Sequence, residues 1–205
     1  MNDKLEVFEE AISDVGYWSW WAEKLPEVFQ IEFGGTHIWS PPINSSSPPS
    51  GQVALRFGNP VSISFLKSVT SNLPNNWTDL FREDQLESFS INYGEFKFNN
   101  SNYIKELLKS DTHVETTFGQ DPLLMIDNDN SNVSLAFLAG EVGFIIIAQE
   151  LRIINQNGDL ELNDIEELVS RWWSYWKEYW KVKGTKDELP KDYACEVTIP
   201  LKADQ

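Results

Sequence analysis

The chain has 205 residues, of which 41% are hydrophobic, and its 16 basic and 32 acidic side chains leave a formal charge of −16. That length and composition allow one sizeable core without disulfide staples and argue against disorder. The charge repels nucleic acid and anionic lipid alike, so neither nucleic acid nor a membrane is expected as a partner, whereas a basic protein is. The single cysteine, Cys195, can build neither an internal disulfide nor a thiolate metal site, and MNDKLEVFEEAISDVG has none of the features of a secretory signal. A cytoplasmic protein is expected, in which the Asn-x-Ser/Thr matches at Asn44, Asn76, Asn99 and Asn132 carry no sugar.

In chain order, Leu5, Phe8, Ala11, Ile12 and Val15 recur at helical spacing and predict a surface helix that stops near Gly16. In YWSWWAEKLP, Trp18, Trp21, Ala22 and Leu25 fit a short helix ending at Pro26. FQIEF at 29–33 and THIW at 36–39 read as two strands of a hairpin turning at Gly34 and Gly35. Residues 40–51, SPPINSSSPPSG, hold four prolines and five serines and read as a long surface loop. QVALRF and VSISFL, separated by Gly58, Asn59 and Pro60, read as a second hairpin.

A helix is expected near 77–87, then the strand GEFKF, the short helix NYIKELLKS, the strand HVETTF and a polar turn at DNDNSN. The stretch VSLAFLAGEVGFIIIAQELRIINQNGDLEL is the strongest sheet signal, broken at Gly140 and at a QNGD turn. FIIIA, apolar at every position, is expected as a central strand covered on both faces. A last strand, ACEVTIPL, is expected after the carboxyl-terminal helix.

That helix, in LNDIEELVSRWWSYWKEYWKVKG, has Asn163 as its expected N-cap, Glu166 three residues on, lysines late and Gly184 past its end. At 100° per residue, Ile165, Leu168, Trp172, Trp176 and Trp180 share one arc with Val169, Trp173 and Tyr179, while Glu166, Ser170, Lys177 and Lys181 lie opposite. Trp172 and Trp176 are therefore expected in the core, and Trp173 and Trp180 half exposed at the edge. The polar face mixes acids with lysines, which argues against a membrane-surface helix. Hairpin turns outnumber possible crossovers. The expected fold is α+β, a mainly antiparallel sheet with an amphipathic N-terminal helix and a Trp-rich C-terminal helix packed on it, forming one domain over residues 1–205.

Motifs for chemistry are sparse. No phosphate loop, dinucleotide fingerprint, nucleophile elbow or zinc helix is present, and no cofactor is expected. DNDNSN begins like a calcium loop, yet Asn132 stands where the turn glycine belongs and Leu138 where a bidentate Glu belongs, so no metal is expected. His37, His113, Glu32 and Glu115 are the best acid/base candidates, with His113 and Glu115 two apart on one predicted strand; a solvated sheet face accounts for the same residues. Cys195 reads as a small buried thiol.

One asymmetry stands out. Between Phe33 and Thr78 there is no Asp or Glu, where an even spread would place about seven, while His37, Arg56 and Lys67 lie inside that window. Strands and Ser/Pro loops are naturally poor in acids. As a site, the window would group Arg56 with Ser62 and Ser64 on one hairpin face, beside Trp39 and Phe57. The expected function is non-enzymatic recognition of a basic protein, of the kind that neutralises a toxin, with Trp18, Trp20, Trp21, His37, Trp39, Arg56, Ser62 and Ser64 as contact residues. The alternative is an enzyme or small-molecule binder with a Trp-lined pocket between WSWW and THIW, using His37 or His113 with Glu32, Glu23 or Glu115. An exposed Trp patch favours the first, and a deep pocket holding a histidine and a carboxylate the second.

Overall fold

A computed structural model describes residues 2–13, 17–23, 28–40, 51–68, 89–90, 94–110, 112–128, 133–139 and 142–182. The aromatic and β-branched segments pair into one nine-stranded sheet, antiparallel at every junction. Its strands are β1 (Tyr17–Glu23), β2 (Val28–Gly34), β3 (Val53–Ser68), β4 (Phe89–Ser90), β5 (Gly94–Phe98), β6 (Thr112–Gly119), β7 (Val133–Ala139), β8 (Val142–Asn155) and β9 (Gly158–Asp159). The order is β4-β1-β2-β3-β8-β7-β5, with β6 on β3 and β9 on β8. Among the described residues four helices, α1 (Asn2–Ser13), α2 (Ser101–Lys109), α3 (Pro122–Asn128) and α4 (Leu162–Val182), complete an α+β fold. None of the described helices is long and apolar enough to cross a membrane.

Alternation along the strands sends side chains to two cores. On the front face, Phe29, Ile31, Phe33, Leu55, Phe137 and Phe144 meet Phe8 and Ile12 of α1 and Ile165 and Leu168 of α4. On the reverse face, Leu66, Ala136 and Ile145 meet Ile104 and Leu107 of α2. FIIIA is thus covered on both sides, as its continuous hydrophobicity predicts: Phe144 and Ile146 belong to the front core and Ile145 to the reverse one. Phe144 sits in an aromatic cluster with Phe29, Phe65 and Phe137, at centroid distances of 5.6, 4.7 and 5.2 Å.

Several local expectations change. YWSWW is strand β1, not a helix: Trp18, Trp20 and Ala22 repeat every second residue, aromatic side chains favour strands, and β2 supplies a partner that sets Trp18 opposite Phe33 and Trp20 opposite Ile31. THIW is no strand, and Gly34–Gly35 is no hairpin turn. Both edges of β2 are taken, by β1 and β3, and Gly35 at φ 74° turns the chain out of the sheet. The segment instead passes against α1, where the His37 N–H donates to the Ala11 carbonyl at 3.2 Å.

QVALRF and VSISFL form one continuous strand, β3, rather than a hairpin. Asn59, at φ 47°, and Pro60 are absorbed as an irregularity, because β8 is long enough to pair with both halves of β3. The QNGD turn does form, with Asn155 opposite Gly158. Helix α3 runs on through Asn128, into the expected DNDNSN turn. Helix α4 begins at Leu162, so Asn163 lies inside its first turn and accepts a hydrogen bond from Lys4 of α1 rather than capping the helix. The 40–51 loop beyond Ser40 and before Gly51, the helix near 77–87 and the strand ACEVTIPL fall outside the described residues, as does Cys195.

One buried carboxylate ties α1 to the sheet. Glu9, 8% exposed, accepts the Phe98 backbone N–H at 2.8 Å and the Lys97 ammonium at 3.1 Å. Glu9→Ala strands a buried N–H and is expected to cost about 2 to 3 kcal/mol. Phe144→Ala, which empties the aromatic cluster, is expected to cost about 3 to 5 kcal/mol. Denaturant unfolding of both variants checks the two values.

Candidate functional site

Two turns of α4 lie on the sheet through Ile165 and Leu168, and beyond them the helix changes its neighbours. Trp172 stacks on His37 at a centroid distance of 3.8 Å and an interplanar angle of 22°, and Tyr175 packs on Trp39 at 4.9 Å. The THIW segment therefore takes the place of strands beneath the aromatic half of α4. For this reason Trp172 and Trp176 are half-buried rather than core, which corrects the expectation from the helical wheel.

Trp173, which stands edge-on to His37 at 5.8 Å, and Trp180 are nevertheless 58% and 59% exposed. Trp172, Trp173, Trp176 and Trp180, with Lys177, line an open groove of about 570 Å³ along the helix. Their rings brace one another: Trp173 stands edge-on to Trp172 at 4.7 Å, and Trp176 lies 6.2 Å from Trp172 and 6.5 Å from Trp180. Such contacts hold large apolar surfaces in fixed orientation at the solvent boundary. Among the described residues the groove lining includes no carboxylate.

The other expected contact residues scatter. Trp18, Trp20 and Trp21 lie on β1, their side chains outside the described set. His37 and Trp39 do reach α4. Ser62 and Ser64 are fully buried, with the Ser62 hydroxyl donating to the Gln120 carbonyl at 2.6 Å. Because β3 is continuous, Arg56 lies six residues from Ser62, about 20 Å along the strand rather than across a turn. Burial of β3 as a central strand accounts for residues 53–68 of the acid-free window.

The acid/base candidates do not assemble either. Glu32 pairs with Ala54 of β3, whereas His113 pairs with Lys67 and Glu115 with Phe65. Those partners lie 13 and 11 residues from Ala54, roughly 35 to 45 Å along the strand. Glu32 alternates with Ile31 and Phe33 of the front core and so faces the reverse side, where it accepts a hydrogen bond from Gln30 at 2.8 Å. His37 lies at the front, on α4. Among the described residues no three His, Cys, Asp or Glu side chains gather to hold a metal.

A second polar cluster, which the sequence did not suggest, lies on the reverse face. Arg56 pairs with Gln30 and Arg152 across the strands, and Arg152 forms a two-pronged ion pair with Asp159 at 2.9 and 2.7 Å. The hydrogen bond from Arg152 holds the Asp159 carboxyl below its ordinary range, with burial opposing and the charges of Arg152 and Arg56 assisting. Both side chains are about half exposed, so the pair is a local clamp on the β8–β9 turn.

Comparison of the chain with protein-family models, with curated proteins and with solved structures gives no match. A functional reading rests on the site alone.

Two outcomes test this geometry. Trp172→Ala removes a stacked, half-buried ring and is expected to cost about 2 to 3 kcal/mol, while Trp173→Ala changes unfolding free energy by less than about 1 kcal/mol. A depressed folded-state pKa stabilises above the ordinary aspartate range and loses that contribution as pH falls through the folded value. Arg152→Ala is thus expected to raise the Asp159 titration midpoint toward that range, read by NMR of the carboxyl.

Proposed function

We propose that this is a non-enzymatic recognition protein of the cytoplasm, which works by surface contact with other proteins. The observation that carries this reading is the uncovered tryptophan strip of α4: two rings more than half exposed beside two half-buried ones, in an open groove without a carboxylate among its described lining residues. Contiguous aromatic surface of this kind is what protein contact surfaces use as anchors, since Trp contributes a large rigid area at little entropic cost. An enzymatic reading would need a carboxylate near His37. The only carboxylate on the adjoining strand, Glu32, faces the other way.

The charge of −16 favours a basic partner, as a toxin-neutralising role would require, and disfavours nucleic acid and membranes. Exposed acids cluster on α1, at Glu6 and Glu10, and on the first turns of α4, at Asp164, Glu166 and Glu167. These faces would steer a basic protein over a Debye length of about 8 Å at physiological ionic strength.

The test is capture of a partner from the source cells by the purified chain. The Trp173→Ala, Trp180→Ala double variant is expected to lose partners held by the strip while keeping its fold. A basic partner held by the acidic faces is expected to associate at least about tenfold more slowly at high than at low salt. A captured set indifferent to both the double variant and salt defeats the proposal.

A further inference from the structure

The stripe that α4 turns to solvent has a spacing of its own. Glu166, Ser170, Trp173, Lys177 and Trp180 follow at intervals of four, three, four and three residues, and all five are exposed. This is the spacing of a seam on which a second helix can lie. The two charges on it have opposite sign and stand at opposite ends of the stripe's first three turns, 11 residues or about 16 Å apart. Neither has an ion-pair partner among the described residues, unlike Arg171, which is bonded to Glu167 on the flank.

A helix approaching this seam in the antiparallel sense, carrying the same sequence, satisfies both charges and Trp173 at once. Placing Glu166 opposite Lys177 of the second copy fixes the register, and a two-fold axis makes the converse pair identical. The same register sets Trp173 opposite Ser170 of the second copy, so that each large ring meets a small side chain, and Trp180 opposite Asn163. A parallel arrangement sets Glu166 beside Glu166 and Lys177 beside Lys177. The ammonium of Lys177 within the groove also disfavours a cationic side chain as occupant.

We propose that the tryptophan strip of α4 is the interface of an antiparallel, two-fold symmetric dimer of this chain, closed by reciprocal Glu166–Lys177 pairs. This rests on the reading of the strip as a protein contact surface and names its occupant. Each chain carries −16, so the dimer carries −32. That repulsion is screened beyond about 8 Å at physiological ionic strength. Glu6 and Glu10 of α1 are exposed and are not among the paired seam positions.

Sedimentation equilibrium of the full chain tests this. Wild type is expected at twice the monomer mass of 23.6 kDa. Glu166→Lys and Lys177→Glu each create two like-charge contacts and are expected to weaken association roughly tenfold or more. The double variant restores the dimer. Most diagnostic is an equimolar mixture of the two single variants, which is expected to form heterodimers, because each supplies the charge the other lacks. Both positions of the test, Glu166 and Lys177, carry exposed side chains, and unchanged melting temperatures will show that the fold is kept. A monomeric wild type overturns the proposal, as does a dimer indifferent to both single changes, or a mixture that fails to associate. A monomeric wild type whose partner capture still depends on Trp173 and Trp180 refutes the second copy while leaving the strip a contact surface for another protein.

Discussion

Strands β3 and β8 pair over thirteen positions, and most other elements are placed by the edges and faces of this ladder. The far edge of β8 takes β7 and then β5, while the far edge of β3 is shared, its first half by β2 and its second by β6. One strand thereby carries two neighbours in series. The consequence reaches the functional side chains. Residues pairing with the first half of β3, such as Glu32, are kept tens of ångströms from those pairing with the second, such as His113 and Glu115. A hairpin at Gly58–Pro60 would have folded those halves together and made a shared site plausible; the length of β8 prevents it.

The same ladder explains what lies on each face. Its front side chains are large and aromatic, and they recruit α1 and α4. Its reverse side carries an apolar cluster under α2 and α3, and toward β9 holds Gln30, Glu32, Arg56 and Arg152 among its described residues. Polar side chains packed on a sheet must find partners, and here they do so locally, Gln30 with Glu32 and Arg152 with Asp159. Glu9 makes the corresponding link on the front, bridging a helix and an edge strand with a single carboxylate.

The parts legible in the sequence were those with a periodicity of their own. The stripe Leu5, Phe8, Ala11, Ile12, the continuous apolar run FIIIA and the QNGD turn each state their structure within a few residues. The parts that were not legible depend on a distant strand. Whether Gly58-Asn59-Pro60 is a turn or an irregularity is decided by β8, some ninety residues later. Whether THIW is a strand is decided by β3, which occupies the edge it would need. WSWW contains both a period of two and a broken period of 3.6, and pairing with β2 selects the former. The helical wheel of α4 found the right arc but could not say what would lie beneath it. With the irregular segment at His37 and Trp39 there instead of a strand, Trp172 and Trp176, expected in the core, become half-buried members of a partly open strip with Trp173 and Trp180. The spacing of Glu166, Ser170 and Lys177 is in the sequence, but it marks a contact stripe only with Trp173 and Trp180 exposed among them.

An uncovered strip of this kind has an energetic meaning. A Trp side chain offers on the order of 200 Å², so rings more than half exposed leave roughly 100 Å² or more each in water, about 2.5 kcal/mol or more apiece at 25 cal/mol per Å². For Trp173 and Trp180 together that is about 5 kcal/mol of transfer energy not realised by folding. It is comparable to the whole stability margin of a small domain. Trp173 packs one edge on His37 and Trp172, and Trp180 packs on Trp176, yet more than half of each ring stays in water. Burial against another protein would recover that energy, and the neighbouring charges limit which surface can do so. The helix carries its free acid toward one end and its free ammonium in the middle of the tryptophans, so a surface that covers both must present the opposite polarity along the same 16 Å.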